Sequence, residues 1–183
     1  WEKNGVLISS SPETTISIEG DTDLTAIFSR NQYQVNIGST IGGTYEILDD
    51  TGSIASTYSH GFTYTIRALP DKHYGFNSWD STTSGLSMLD NASFAQTTFI
   101  PTADANFTAI FSELSYKLNI ASTQGHSSLT DSGYFPALST VPIQVEAAEG
   151  FAFDYWIDPM GIIADSNSHI TEVNMSLIYP YTE

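Results

Sequence analysis

Apolar and polar residues alternate along several short stretches of the chain. In Tyr33–Ile37 and in Tyr64–Ala68 every second residue is apolar, which places one face of a strand on a core and the other in water. Turn-forming residues at 42–43, 49–52 and 70–71 separate such stretches. No stretch keeps the 3.6-residue period of a helix. The pattern predicts an all-β chain with little or no helix, built from small β-grasp-like or sandwich-like sheets.

The same residues return along the chain at a fixed distance. The hexapeptide Leu24–Ser29 returns nearly letter for letter at Phe107–Ser112, a shift of 83 positions. The strand that starts at Tyr33 returns at Tyr116 with the same shift of 83 positions. Two separate markers thus give one period, which indicates a tandem repeat.

Each repeat also contains an aromatic strand that ends in tryptophan. The residues aligned in this way are Ile66 with Val145, Ala68 with Ala147, Tyr74 with Phe151, Phe76 with Phe153 and Trp79 with Trp156, and Trp1 falls at the same register. We therefore predict the last third of one repeat at 1–30, a full repeat at 31–113 (unit 1), and another at 114–183 (unit 2), whose last hairpin is shortened or truncated.

Repeats of about 80 residues depend on a few large side chains, because burial of one large aromatic contributes about 3 kcal/mol. The predicted structural core residues are Trp79, Trp156, Phe76, Phe153, Tyr33, Tyr116, Phe28 and Phe111. The alternative to a buried position is that Trp79 and Trp156 are exposed and stack on sugars. Aromatics that do not repeat are the better candidates for ligand contact: Tyr58, Tyr134, Phe135 and Tyr155.

Taken together, these motifs resemble the divergent relative of the internalin-B B-repeat, an exported bacterial repeat. The residues that carry the resemblance are Tyr33–Ile37, Tyr64–Ala68, Tyr74–Trp79 and Phe107–Phe111, and Ile16–Phe28 is similar to the closing hairpin of that family. The resemblance implies modules of a bacterial surface protein, with no known catalytic residues.

The end of unit 2 departs from this family pattern and leaves two interpretations. In the first, Met175, Leu177 and Tyr179 take the places of Phe107, Ala109 and Phe111. In the second, the sequence stops before the closing strand.

The charge of the chain excludes some classes of partner. The chain has five Lys and Arg residues and 21 Asp and Glu residues, a formal net charge of -16, which disfavours binding to nucleic acids and anionic membranes.

There is no cysteine, so neither a disulfide framework nor a thiolate metal site is expected. No apolar run reaches the length of a membrane span. The first residue is not Met, and the repeat register begins within a unit, so we expect a piece of a longer chain.

Candidate chemistry is sparse. The four histidines, His60, His73, His126 and His169, occupy unrelated positions in the repeats and form no metalloprotease motif. We predict no catalytic residue and no cofactor. Calcium is the one open possibility, with turn acids as weak candidate ligands at Asp21, Asp23, Asp49 and Asp50.

The sequence favours a non-catalytic repeat segment, a stalk or adhesive module of a long extracellular surface protein. The alternatives are a carbohydrate-binding β-module and a fibre or decoration domain on a virus particle. Expected partners are other repeats or domains of the same chain, and glycans or surface proteins. Nucleic acids and direct membrane insertion are not expected.

Overall fold

The computed structural model describes residues 1–178, which form strands and turns with very little helix. The strands are β1 (Glu2–Lys3), β2 (Val6–Leu7), β3 (Leu24–Thr25), β4 (Gln32–Tyr33), β5 (Val35–Ser39), β6 (Gly43–Leu48), β7 (Tyr58–Ser59), β8 (Tyr64–Pro70), β9 (Tyr74–Asp80), β10 (Gln96–Phe99), β11 (Ala105–Glu113), β12 (Ser115–Leu118), β13 (His126–Leu129), β14 (Gly133–Pro136), β15 (Thr140–Ala147) and β16 (Ile170–Asn174). The helices of the described residues are two short 3₁₀ helices, Ser84–Met88 and Met175–Leu177. The prediction of an all-β chain is confirmed.

Unit 1 consists mainly of two three-stranded sheets. One has the strand order β10-β8-β6 and the other β5-β11-β9. Buried and more exposed side chains alternate along β8 and along β11, as expected for strands with one face on a core. Phe99 of the first sheet contacts Phe107 of the second, with ring centroids 5.3 Å apart. Unit 1 is therefore a small sandwich whose core lies between the sheets.

The strand β11 closes unit 1. It runs parallel to β5 and antiparallel to β9. Its inward side chains are at most 7% exposed, and they are Ala105, Phe107, Ala109 and Phe111. Because β5 and β9 each pair with β11 and not with each other, this sheet depends on β11.

The hydrogen bonds of unit 2 repeat those of the first sheet of unit 1. The strand order β13-β15-β16 corresponds to β6-β8-β10. The amide of Ala68 donates to the carbonyl of Ala95 at 2.8 Å, and the amide of Val145 donates to the carbonyl of His169 at 3.0 Å. The strand β15 of unit 2 therefore corresponds to β8 of unit 1.

These bonds correct the alignment of the repeats. Ala68 corresponds to Val145, and Ile66 corresponds to Ile143. The predicted pairs, Ile66 with Val145 and Ala68 with Ala147, are therefore wrong by two residues. A two-residue slip keeps each side chain on the same face of a strand, so the alternating pattern could not reveal it.

The strand β16 of unit 2 corresponds to β10 of unit 1. This correspondence shows where in unit 2 a counterpart of β11 would start. Val173 pairs with Val141 in β15, as Phe99 pairs with Tyr64 in β8. Phe99 and Val173 are both 1% exposed. Met175 follows in a 3₁₀ helix and lies before the position that corresponds to the start of β11.

The first interpretation of this end is therefore wrong for Met175 and Leu177, which do not take the places of Phe107 and Ala109. Tyr179, the third residue of that interpretation, lies outside the described residues. Within residues 114–178, no strand corresponds to β11.

Residues 1–30 form a sheet of three two-residue strands with the order β2-β1-β3. Leu24–Thr25 pairs with Glu2–Lys3. Phe28, predicted to be a core residue, is 89% exposed. The reason is that none of residues 1–30 is buried, so these residues offer no core for its ring to join.

The junction of the two units is hydrogen-bonded on both sides. A single residue, Leu114, separates β11 from β12. Its amide donates to the carbonyl of His73 at 2.8 Å, and its carbonyl accepts from the amide of Ala137 at 2.8 Å. The Glu113 carboxylate accepts from the amide of Leu138 at 2.6 Å. The junction is thus part of the folded structure.

Candidate functional site: the groove of unit 2

Each unit contains a glycine that lets an aromatic ring lie against the backbone. Gly42 has φ of 106° and Gly125 has φ of 107°, a region that L side chains rarely adopt. A Cβ at Gly42 would collide with the ring of Tyr74, and a Cβ at Gly125 would collide with the ring of Phe151. The repeated glycine and aromatic therefore form one packing element in both units.

The two later tryptophans also have matching surroundings. The ring centroids of Phe76 and Trp79 lie 5.6 Å apart at 54°, and those of Phe153 and Trp156 lie 5.6 Å apart at 53°. The Trp79 indole N–H donates to the carbonyl of Phe94 at 3.0 Å. Trp79 is 2% exposed, so it cannot present its face to a sugar.

Trp156 has the same kind of hydrogen bond but less cover. Its indole N–H donates to the carbonyl of Ser168 at 2.9 Å. Its side chain is only partly buried. The two tryptophans differ in exposure. Trp79 is covered because Ala109 of β11 pairs with it, and Trp156 has no such strand beside it among the described residues.

A groove of about 530 Å³ lies beside Trp156 in unit 2, between residues 117–126 and residues 151–163. In unit 1 the corresponding segments are β5 and β9, and β11 lies between them. Neither 119–122 nor 151–157 forms a strand. The apolar lining includes Ile120, Ile143, Phe153, Trp156, Val173 and Ile178. The groove thus exposes a core that β11 covers in unit 1.

Two of the four aromatics expected at the surface are exposed, namely Tyr134 at 72% and Tyr155 at 57%. Tyr155 also lines the groove. Tyr58, by contrast, is buried at 9%, with its ring centroid 5.2 Å from that of Tyr64. Burial raises the pKa of the Tyr58 hydroxyl above its ordinary value.

Phe135 is likewise not a free surface residue. It is partly buried and contacts the core of unit 2, and it lies opposite Tyr116 in the pair β12-β14. Tyr33 lies opposite Tyr58 in the pair β4-β7 of unit 1. Tyr58 and Phe135 are therefore repeated core positions that sequence comparison missed, because the loops before them differ in length.

One of the turn acids, Asp49, is hydrogen-bonded within its own loop. Oδ1 of Asp49 accepts from the Thr51 hydroxyl at 2.6 Å, the Thr51 amide at 2.9 Å and the Ser53 amide at 3.0 Å. These bonds, the hydroxyl of Thr51 first, hold the pKa of the Asp49 carboxyl below its ordinary value.

Nor does the structure gather the calcium candidates Asp21, Asp23, Asp49 and Asp50 into a cation site. Across residues 1–178, no group of three or more His, Asp or Glu side chains could hold a metal ion. Calcium remains a sequence hypothesis that the positions of these side chains do not strengthen.

Two histidines bind equivalent tyrosines. Nδ1 of His60 lies 3.1 Å from the hydroxyl of Tyr33, and Nδ1 of His73 lies 3.1 Å from the hydroxyl of Tyr116. His73 is buried and has φ of 71°. Its Nε2 lies 2.9 Å from the carbonyl of Ser176, so the N–H is on Nε2. His73 of unit 1 therefore joins two parts of unit 2, a role that no sequence motif signals.

No helix in the part of the chain that the structure describes is long and apolar enough to cross a bilayer.

The fold defines the chain as a tandem of small all-β units in which the repeated residues are mainly those that pack the core. Residues 33–115 match the family model described as the divergent InlB B-repeat domain. Unit 1 is thus similar to the divergent InlB B-repeat domain, and the resemblance seen in its motifs is confirmed. No curated protein and no solved structure matches the chain.

Proposed function

We propose that this chain is a non-catalytic repeat segment of a long extracellular surface protein, where it sets distance and presents surface. One observation carries the proposal: the features that repeat between the units are packing features. They include the glycine under an aromatic ring, the paired phenylalanine and tryptophan, and the hydrogen bonds of the first sheet. A site for chemistry shared by the repeats would require repeated reactive side chains as well.

The bonded junction supports a role as a spacer. The short linker is held by hydrogen bonds to both units, and His73 of unit 1 binds the carbonyl of Ser176 in unit 2. A unit of about 80 residues has a diameter of roughly 30 Å. Two such units joined end to end should behave as an elongated and fairly stiff body.

Family and charge support a location on the cell surface. The divergent InlB B-repeat family suggests a surface repeat domain. A formal net charge of -16 makes neighbouring chains repel each other at long range, which resists clumping. Bacterial origin, secretion and adhesion form part of this proposal.

Carbohydrate binding is the second candidate, and the groove of unit 2 favours it. Tyr155, Asp154 and Asn119 all line this groove. An exposed aromatic ring next to polar side chains is a common way to hold a sugar. A glycan array and a hydrolase panel should both be negative if the spacer proposal is right. A reproducible sugar signal that Tyr155→Ala abolishes would favour carbohydrate binding instead.

Small-angle scattering tests the spacer itself. We expect a pair-distance distribution of an elongated particle that is two units long. A compact particle, with both units folded around one core, would contradict the proposal.

A further inference from the structure

A tight turn leads into the aromatic segment of each unit, and the two turns are closed by the same hydrogen bond. In unit 1 the turn comprises residues 71–74, and the amide of its last residue donates to the carbonyl of its first at 3.1 Å. In unit 2 the turn comprises residues 148–151, with the same bond at 3.0 Å. The third residue of the turn is His73 in unit 1 and Gly150 in unit 2. These two residues therefore hold equivalent positions.

The third residue of both turns has a backbone conformation that suits glycine. Gly150 has φ of 84° and His73 has φ of 71°. Glycine adopts positive φ without steric cost, whereas a residue with a Cβ is strained there. Such strain persists where the surrounding structure holds the residue in place. We therefore expect the turn of unit 1 to depend on whatever holds His73.

The turn of unit 2 shows that the fold does not require a histidine at this position. Its closing hydrogen bond forms with glycine as the third residue, and Gly150 is exposed. His73, by contrast, is only 5% exposed. The histidine of unit 1 is thus not needed to form the turn, and what it adds is the contacts of its side chain.

Among the described residues, the imidazole of His73 makes its hydrogen bonds with unit 2 alone. Nδ1 lies 3.1 Å from the hydroxyl of Tyr116 in β12, and the two ring centroids are 5.8 Å apart. Nε2 lies 2.9 Å from the carbonyl of Ser176, in the second 3₁₀ helix. A strained residue of unit 1 is therefore held by two separate segments of unit 2.

The backbone of the same turn belongs to the second sheet of unit 1. The carbonyl of His73 accepts from the amide of Leu114 at 2.8 Å. The strand β9 begins at the next residue, Tyr74, which pairs with Glu113 at the end of β11. Opening of the turn would therefore disturb the adjoining ends of β9 and β11.

We propose that His73 couples the stability of unit 1 to the folding of unit 2, because a turn of unit 1 depends on contacts that unit 2 supplies. While unit 2 is folded, its hydroxyl and carbonyl groups hold the imidazole, and the turn keeps its positive φ. When unit 2 opens, nothing offsets the strain at His73, and the adjoining ends of β9 and β11 open more often. Coupling of this kind makes neighbouring repeats unfold together. The inference does not depend on the spacer proposal, which concerns shape and location.

Amide hydrogen exchange of the 183-residue chain tests this coupling in two backgrounds. Ile143→Ala destabilises unit 2, because Ile143 is 2% exposed in the core of that unit. In the chain with His73, this substitution should speed exchange at the amides of Tyr74 and Leu114 by more than about tenfold. In the His73→Gly chain it should change exchange there by less than about threefold, because glycine keeps the turn without help from unit 2. The amide of Trp79, near the other end of β9, is the internal control and should change little in either background.

Two tyrosine hydroxyls provide a matched pair for a second test. Tyr116→Phe removes the hydroxyl that His73 contacts across the junction. Tyr33→Phe removes the equivalent hydroxyl of unit 1, whose contact with His60 lies within that unit. Tyr116→Phe should speed exchange at the Tyr74 amide by about threefold or more, since a buried hydrogen bond is lost. Tyr33→Phe should leave this exchange unchanged.

Three results would overturn the proposal. The first is that Ile143→Ala leaves exchange at Tyr74 and Leu114 unchanged in the chain with His73. The second is that it speeds this exchange equally in the His73→Gly chain. The third is that Tyr116→Phe and Tyr33→Phe have equal effects. If Ile143→Ala prevents unit 2 from folding at all, Ile143→Val removes less of the core and should give the same order of effects.

Discussion

Unit 1 and unit 2 share their first sheet but differ in the second. In unit 1 the strand β11 joins β5 to β9 and leaves Trp79 2% exposed. In unit 2 the same first sheet is present as β13, β15 and β16, but residues 151–157 form no strand and Phe151 is 60% exposed. Among the described residues, the first sheet of unit 2 is therefore complete with no counterpart of β11, whereas the segment that corresponds to the aromatic strand β9 is not a strand.

The largest expected difference between the units concerns the tryptophans. Trp79→Ala should destabilise unit 1 by about 3–5 kcal/mol, because it empties a well-packed core. Trp156→Ala should destabilise unit 2 by only about 1–3 kcal/mol, because that ring is already partly in water. Denaturant unfolding of each variant, followed by signals from the remaining tryptophans, measures both losses. Equal losses would mean that the two cores are equally closed.

The glycines sharpen the same comparison. Gly42→Ala and Gly125→Ala both force a side chain into a positive-φ conformation, at about 1–3 kcal/mol each. Gly42→Ala should cost more, because Tyr74 is half-buried and cannot move aside, whereas the exposed Phe151 can. Thermal unfolding of the two variants gives the order. A larger loss for Gly125→Ala would indicate that Phe151 is fixed in place.

The two His–Tyr contacts test the junction. His73→Ala should leave each unit folded but increase the range of angles between them, because it removes the bond to Ser176 of unit 2. His60→Ala is the matched control, since its tyrosine contact lies within unit 1. Residual dipolar couplings should report looser coupling of the units only in His73→Ala. The same loosening in His60→Ala would exclude His73 as the residue that holds the junction.

The smallest expected effect is at the Asp49 turn. Because the folded-state pKa of Asp49 is depressed, its bonds stabilise the turn above the unfolded-state pKa, and this contribution is lost as the pH falls through the folded-state value. Thr51→Ala should raise the pKa of Asp49 toward its ordinary value, as measured by NMR titration. An unchanged pKa would show that the Thr51 hydroxyl does not matter to this carboxyl.

The sequence predicted the parts of the fold that depend on local pattern. Alternation along Tyr64–Ala68 and the hexapeptide Phe107–Ser112 correctly predicted β8 and β11, and the motifs of unit 1 predicted its match to the family model. It did not place Tyr58 in the core, because a two-residue strand has too short a pattern to show which side is inward.

Features that depend on distant residues were beyond such reasoning. The role of His73 requires a carbonyl 103 residues away, at Ser176. The groove lies where the described part of unit 2 has no counterpart of β11, and the sequence had left the presence of that strand open. Phe28 fits the core pattern of a closing strand, but the residues around it provide no core.

The central claim is that β11 pairs with the aromatic strand of unit 1, whereas residues 151–157 of unit 2 pair with no such strand among the described residues. Amide hydrogen exchange of the chain tests this claim most directly. We expect exchange at Tyr74–Asp80 to be at least about a hundredfold slower than at 151–157, because amides in a paired strand exchange through rarer openings. Equal protection of the two segments would contradict the account.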